Sequence, residues 1–263
     1  MTTFKSYRSY LQFAESIATK WRYARDAEQT EFLEGVFATS VSRQQVLSAG
    51  TILFRAQYAH EWRSETLGDS DPEENPSAVG TERMKPLAYR ASEGRANPKG
   101  IPYLYLATHQ ETAVAEVRPW IGSYVSLAQF QLNRTLRVVN CVSEHRSLFM
   151  YSVEPDPEVR EQVVWQDIDR AFSQPVTPSD NTADYVPTQA LAEFFREKGL
   201  DGIAYGSALG PGHNLVLFDI DAAALVNCGL VQIESIKFSF SDADNRYFVT
   251  DRKDPNGETG GSV

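Results

Sequence analysis

The spacing of hydrophobic and polar positions changes along the chain between a strand-like and a helical period, which predicts a mixed fold. Short apolar or alternating runs predict strands at residues 51–58, 103–107, 124–132, 136–142, 202–205, 215–218, 231–240 and 247–249. Apolar positions three and four residues apart predict helices at residues 158–172 and 188–198. The strands cluster in runs instead of alternating regularly with helices, so the pattern favours an α+β fold over a doubly wound parallel sheet.

The N-terminal segment, from residue 3 to about residue 48, has helical spacing and is rich in aromatic residues. We therefore divide the chain into a helical N-terminal segment at 1–50, a main domain at 51–253 and a flexible tail at 254–263. The apolar side of the N-terminal segment must be buried, either on its own domain or on a second copy of the chain. We favour a homodimer to which this segment contributes.

A turn-rich loop at residues 94–102 is the first candidate for chemistry. Its glycines and prolines bend the backbone, and it carries Arg95, Asn97 and Lys99, whose polar groups are expected to point outward. An apolar and aromatic strand that contains Tyr105 follows the loop. This order places a polar loop directly before a buried strand.

A helix is predicted after that strand. Thr108 and Glu111 stand in the T-x-x-E relation of a capping box, and Pro119 ends the helix. Glu116 lies roughly 110° from the centre of the apolar stripe, at its edge. A carboxylate in this position either points into a cleft or is a solvated surface group, and the helix alone favours the surface group.

Arg55 is the second unusual position, because it lies among apolar residues in the strand predicted at 51–58. A buried arginine is normally paired, or its head group reaches a cleft. The residue alone leaves both interpretations open. The acidic stretch at residues 61–92 that follows is predicted to be a solvated, loop-like insertion.

Three blocks of sequence resemble one known family, the RES domain, which is named for its arginine, glutamate and serine. The central block reads G-R-A-N-P-K-G-I-P-Y-L-Y-L-A at residues 94–107 and E-T-A-V-A-E-V at 111–117. The upstream block is L-F-R-A-Q-Y at 53–58. The downstream block is D-G-I-A-Y-G-S at 201–207, continued by G-H-N-L-V-L-F at 212–218. The blocks occur in the family's order, which makes the resemblance specific.

The resemblance implies a split mixed β-core like that of ADP-ribosyltransferases, with NAD in the cleft as a substrate and no separate cofactor. It also implies cleavage of the nicotinamide–ribose bond. A carboxylate beside the ribose stabilises an oxocarbenium-like transition state, which suits Glu116. Arg55 would hold phosphate, and Ser207 would donate a hydrogen bond to ribose or phosphate. Further binding residues are expected at Arg95, Asn97, Lys99, Tyr58, Tyr105 and Asn214.

Some RES proteins are toxins that deplete NAD by phosphorolysis or hydrolysis and are restrained by an antitoxin. The resemblance therefore extends to inorganic phosphate as a co-substrate and to an antitoxin as a partner. The alternative is a catalytically silent module that binds NAD or another nucleotide as a sensor or an interaction domain. Because the glutamate is present at Glu116, we favour the enzyme.

Composition narrows the class of partner and the compartment. The chain has 263 residues and a net charge of −10, with a pI near 5.0, which argues against nucleic acid as the main partner. Cys141 and Cys228 have no closely spaced partner, so neither a disulfide framework nor a metal site is predicted. The sequence contains no signal peptide and no membrane-spanning run, so we expect a cytoplasmic protein.

Overall fold

The computed structural model describes residues 4–65, 73–143, 151–174 and 182–237, which form an α+β fold. The helices are α1 (Ser9–Thr19), α2 (Ala27–Ser40), α3 (Gln110–Glu116), α4 (Pro157–Ser173) and α5 (Val186–Glu197). The strands are β1 (Gln44–Leu47), β2 (Ile52–Gln57), β3 (Glu61–Glu65), β4 (Glu73–Ser77), β5 (Leu104–Ala107), β6 (Tyr124–Leu132), β7 (Leu136–Asn140), β8 (Gly202–Gly206), β9 (His213–Leu217) and β10 (Ala223–Gln232). Short 3-10 turns occur at Val41–Arg43, Thr81–Met84, Thr182–Tyr185 and Ile220–Ala222.

The main sheet is mixed and has the strand order β1-β7-β8-β9-β5-β2-β6-β10. Neighbouring strands are antiparallel except for β7 and β8, which run parallel. Between β5 and β2 only one residue pair, Phe54 with Ala107, is in register, so the two halves of the sheet are joined at one point and separate beyond it. The predicted α+β class with a split mixed core is confirmed.

α4 and α5 pack on one face of the sheet at β8, and α1 and α2 pack against these two helices. Their shared core includes Ile17, Trp165, Phe172 and Phe195, none of which is more than 1% exposed. Each large apolar side chain buried in this way contributes about 1.5–3 kcal/mol relative to an exposed one. A smaller cluster lies under α3 on β2, β5 and β6, and it fixes the short helix beside the point where the sheet separates.

The N-terminal segment packs on its own domain. Its helices pack against α4 and α5, and α2 begins with a capping box formed by Asp26 and Gln29. The expectation of continuous helix to residue 48 is wrong, because residues 44–47 form β1, which pairs with β7 at the edge of the sheet. The apolar surface that motivated a homodimer is therefore covered within the chain, and the homodimer stays a prediction.

The described parts of the acidic stretch, residues 61–65 and 73–92, contain more regular structure than predicted. β3 and β4 pair in an antiparallel manner, and the side chain of Met84 in the following turn is fully buried. At the other end of the chain, the strand expected at 231–240 is instead the end of β10, which stops at Gln232. The strand expected at 247–249 and the tail at 254–263 lie outside the described residues.

Candidate active site

The start of α3 is fixed by β9 and not by the predicted capping box. The helix begins at Gln110, and its N-cap residue, His109, makes no capping hydrogen bond through its side chain. The hydroxyl of Thr108 instead accepts a hydrogen bond from the backbone N–H of His213 at 3.0 Å. Because β5 pairs with β9, Thr108 lies beside His213 and not in a helical turn, so the expected box with Glu111 is wrong.

The glycine-rich loop after β8 lies directly on α3. The Thr112 hydroxyl donates a hydrogen bond to the carbonyl of Pro211. A Cβ at Gly210 would lie 2.8 Å from the Cα of Thr112, so only glycine allows this approach. The loop is thereby held against the helix, with Ser207 facing Glu116.

Glu116, Ser207 and Asn214 form a hydrogen-bonded cluster. The Oε1 atom of Glu116 accepts one hydrogen bond from the Ser207 hydroxyl at 3.2 Å and another from Nδ2 of Asn214 at 2.6 Å. Ser207 and Asn214 are buried, whereas Glu116 is exposed at the edge of the cleft. Both hydrogen bonds that the described residues make to this carboxylate end on Oε1, so Oε2 is open to a ligand. A glutamate that is only solvated at the surface does not need two buried side chains to hold one of its oxygens. The arrangement therefore favours the interpretation that Glu116 points into the cleft.

The Ser207 oxygen is itself held by the backbone of its loop. It accepts hydrogen bonds from the N–H groups of Leu209 at 3.1 Å and Gly210 at 3.2 Å. The hydroxyl donates its hydrogen to Oε1 of Glu116 and so helps to hold that carboxylate in position. The direct hydrogen bond to ribose or phosphate that we expected of Ser207 stays a prediction.

Asp169 on α4 supports the same loop from behind, and the sequence reasoning missed it. Its Oδ1 accepts from the N–H of Gly206 at 2.9 Å, and its Oδ2 accepts from the N–H of Ser143 at 3.1 Å. The side chain is only 5% exposed and lies on the apolar face of α4 beside Ile168 and Phe172. The sequence signal that could have identified Asp169 is a carboxylate on the apolar face of a predicted helix.

Arg55 is half-buried, with its Nε atom inaccessible to water, at the point where β2 and β5 separate. Its Nη1 donates to the backbone carbonyl of Tyr105 at 3.0 Å, and its Nε has no hydrogen-bond partner among the described residues. Burial lowers the pKa of the guanidinium below its usual value, but an arginine stays protonated in proteins. No ion pair to Arg55 is formed within the described ranges, so the structural salt bridge left open by the sequence is not found there.

Arg55 and Glu116 line one cleft of about 260 Å³, together with Tyr105, Tyr205 and Asn214. Burial raises the pKa of both tyrosines, and for Tyr205 the nearby Tyr105 and Glu116 raise it further. The tyrosines therefore stay neutral and form an aromatic wall next to a carboxylate and a guanidinium. Sequence reasoning missed Tyr205, although it stands two residues before Ser207.

Asn97 lies inside its loop instead of pointing outward as predicted. Its Nδ2 donates to the carbonyls of Ser92 and Ile101, both at 2.9 Å, and its Oδ1 accepts from the Tyr105 hydroxyl at 2.7 Å. The residue is only 3% exposed. It closes the loop and fixes the ring of Tyr105, which lines the cleft.

The remaining predicted binding residues are outside the cleft. Arg95 is half-buried, and its Nη1 donates to the carbonyl of Ala171 at 3.3 Å. Lys99 and Tyr58 are exposed, and neither is among the described residues that line the cleft. The structure thus brings together Arg55, Tyr105 and the Glu116 cluster, but not these three residues.

The described part of the chain offers neither a metal site nor a membrane-spanning helix. No group of three or more His, Cys, Asp or Glu side chains is arranged there to hold a metal ion. No described helix is both long enough and apolar enough to span a membrane.

Comparisons with known proteins give one family and one solved structure. The sequence model of the RES domain matches residues 75–240, which is more than half of the 263 residues. The crystal structure of the M. tuberculosis MbcT–MbcA toxin–antitoxin complex is similar with 16% identity and a TM-score of 0.38, over 76% of this chain and 93% of that chain. No curated protein gives a sequence match. The RES match includes Glu116 and Ser207 and begins after Arg55.

Proposed function

The chain belongs to the RES domain family, and on that basis we propose that it is an enzyme that consumes NAD by cleaving the nicotinamide–ribose bond. The observation that carries the proposal is that a fixed carboxylate and a half-buried arginine without an acidic partner among the described residues line the same cleft. Glu116 is held by Ser207 and Asn214, and Arg55 has no acidic partner among the described residues. A metabolite with a cationic reacting centre and a diphosphate would meet both charges.

The carboxylate suits the chemistry of the scissile bond. As the bond from C1′ to the pyridinium nitrogen breaks, its electron pair moves to that nitrogen, which becomes neutral, while positive charge develops on the ribose. A carboxylate beside the ribose stabilises this charge, and one that is already fixed needs no reorganisation at the transition state. The hydrogen bonds from Ser207 and Asn214 to Glu116 supply that fixation.

The arginine suits the rest of the substrate. A guanidinium can donate two parallel hydrogen bonds to a phosphate. The buried Nε of Arg55 gains from such a partner, because an unpaired buried donor costs about 1–3 kcal/mol. We therefore assign substrate binding to Arg55 and transition-state stabilisation to Glu116.

The acceptor of the ribosyl group is either water or inorganic phosphate. Hydrolysis forms a bond from C1′ to a water oxygen and yields nicotinamide, ADP-ribose and a proton. Phosphorolysis forms the bond to a phosphate oxygen and yields nicotinamide and ADP-ribose 1″-phosphate. Chromatography of the products with and without phosphate separates the two reactions.

The experiment that tests the function is incubation of the purified protein with NAD, followed by measurement of free nicotinamide. We expect nicotinamide to be released in step with NAD loss. Binding of NAD with no nicotinamide over several hours would contradict the enzyme and favour a nucleotide sensor. Arg55→Ala should raise KM for NAD more than it lowers kcat, as expected for lost substrate binding.

The toxin role is a further part of the proposal. An active NAD-consuming enzyme, expressed without a restraining partner, should lower the NAD content of a bacterial host and stop its growth. The Glu116→Gln protein, expressed at the same level, should do neither. Growth arrest by both proteins would contradict a toxin that acts by cleaving NAD. Undisturbed growth with both proteins would contradict the toxin role and the need for an antitoxin.

A further inference from the structure

A second cavity lies on the other side of the wall formed by Arg55 and Tyr105. Its volume is about 410 Å³, compared with about 260 Å³ for the cleft at Glu116. Arg55 and Tyr105 line both spaces, whereas Glu116 lines only the smaller one. The Arg55 side chain therefore stands between a cleft that contains the carboxylate and a cavity that does not.

Most of the charged residues that line the second cavity are cations. Arg55, Arg83, Lys85 and Arg90 contribute to its walls, and Glu93 is the one acid among its described lining residues. The chain as a whole has a net charge of −10, so four cations around one cavity run against the average charge of the protein. Such a concentration attracts an anionic ligand.

The three cations that line the cavity besides Arg55 differ in whether they are paired. Arg83 lies 3.7 Å from Glu61, and Lys85 lies 3.2 Å from Asp221, both in partly exposed ion pairs that contribute little to stability. The side chain of Arg90 has no hydrogen bond or ion pair within the described ranges. Together with the unpaired Nε of Arg55, Arg90 gives the cavity two guanidiniums that lack an anionic partner.

The size of the two spaces indicates how they work together. Pockets for small molecules usually measure about 300–1,000 Å³, and the cleft at Glu116 alone is below that range at about 260 Å³. The cleft suits the nicotinamide ribose. A phosphate-bearing remainder or a separate phosphate has room on the other side of Arg55.

We propose that the second cavity is a phosphoryl-binding site, in which Arg90 and Arg55 bind the phosphate oxygens. This inference rests on the proposed function and adds a specificity site to it. The phosphoryl group has two sources, the diphosphate of the dinucleotide itself or free inorganic phosphate that acts as the ribosyl acceptor. Both present the same tetrahedral oxyanion to the two guanidiniums.

The test compares NAD with nicotinamide riboside, which has the same scissile bond but carries no phosphate. Arg90→Gln removes one charge from an exposed side chain, and Arg22→Gln makes the same change at an exposed residue outside both cavities. If the diphosphate occupies the cavity, Arg90→Gln raises KM for NAD about tenfold and leaves KM for the riboside unchanged. If free phosphate occupies it, Arg90→Gln raises KM for phosphate about tenfold with either substrate.

Kinetic constants of Arg90→Gln that match those of Arg22→Gln for all three compounds would overturn the proposal. Calorimetry with ADP and with inorganic phosphate separates this result from a failure of the proposed function. The wild-type protein could release no nicotinamide and still bind ADP or phosphate at least about tenfold more tightly than Arg90→Gln does. In that case the phosphoryl site stands and only the proposed function fails. Binding of neither anion, or binding unaffected by Arg90→Gln, contradicts the site even in an active enzyme.

Discussion

Removal of the Asp169 carboxylate should destabilise the fold, since it accepts hydrogen bonds from two backbone N–H groups. The N–H of Gly206 is buried and would lose its acceptor, whereas the N–H of Ser143 is partly accessible to water. An unsatisfied buried donor costs about 1–3 kcal/mol, and a donor near water costs less. We expect Asp169→Ala to lower the free energy of unfolding by roughly 2–4 kcal/mol.

Asp169→Asn should cost less, about 1–2 kcal/mol, because the amide oxygen can still accept from Gly206 while the amide nitrogen faces Ser143. Asp156→Asn is the matched control, since Asp156 is an exposed residue at the N-terminus of the same helix and makes no capping hydrogen bond. We expect this control to lie within about 0.5 kcal/mol of the wild type.

Urea-induced unfolding followed by circular dichroism measures these differences, provided that the slope with urea is unchanged. The free energy of unfolding should be highest for the wild type and Asp156→Asn, lower for Asp169→Asn and lowest for Asp169→Ala. A free energy of unfolding for Asp169→Ala within about 0.5 kcal/mol of the wild type would refute the reasoning, because it would show that these hydrogen bonds do not hold the loop before Ser207.

Three further predictions concern the cleft and its walls. Asn214→Ala should lower kcat for nicotinamide release about tenfold with little change in KM, because Glu116 loses its shorter hydrogen bond; an unchanged kcat would contradict this. Gly94→Ala should destabilise the protein by about 1–3 kcal/mol in urea, because its Cβ would lie 2.6 Å from the Tyr105 hydroxyl. Gly229→Ala, with no atom within 4 Å of the added Cβ, is the control that should stay near the wild type. Burial raises the pKa of Tyr105 and Tyr205 above the ordinary 10.0, so their contribution to stability is fully present below pH 10 and is lost as the pH rises through the folded-state values. The urea midpoint should therefore be level from about pH 7 to 9 and fall above about pH 10, and Tyr205→Phe should reduce that fall.

Strongly periodic elements could be predicted from the sequence with nearly correct boundaries. The strand predicted at residues 124–132 is β6, and the helix predicted at 188–198 overlaps α5 at Val186–Glu197. These elements carry their own signal because one face is apolar throughout. β1 was missed because Gln44 and Gln45 give it no apolar face, and only its pairing with β7 makes it a strand.

The candidate site was predictable where motif residues meet, and unpredictable where support comes from elsewhere in the fold. The structure brings Glu116 and Ser207, the glutamate and the serine of the family's motifs, into contact, and their roles in the chemistry stay predictions. Asp169 comes from a helix outside those motifs, so sequence order gave no reason to place it behind the loop. The prediction of a capping box at Thr108 is wrong for a similar reason. β9 lies beside Thr108 in space, and the backbone N–H of His213 donates a hydrogen bond to the Thr108 hydroxyl.

Nicotinamide release by Glu116→Gln, measured beside the wild type, tests the central claim most directly. The substitution keeps the side-chain size and the oxygen that accepts from Asn214 and Ser207, but it removes the negative charge opposite the developing oxocarbenium ion. We predict that Glu116→Gln binds NAD in calorimetry about as tightly as the wild type and unfolds at the same urea concentration, while nicotinamide release falls at least about a hundredfold. Turnover at the wild-type rate by the folded variant would contradict the assignment of the chemistry to this carboxylate.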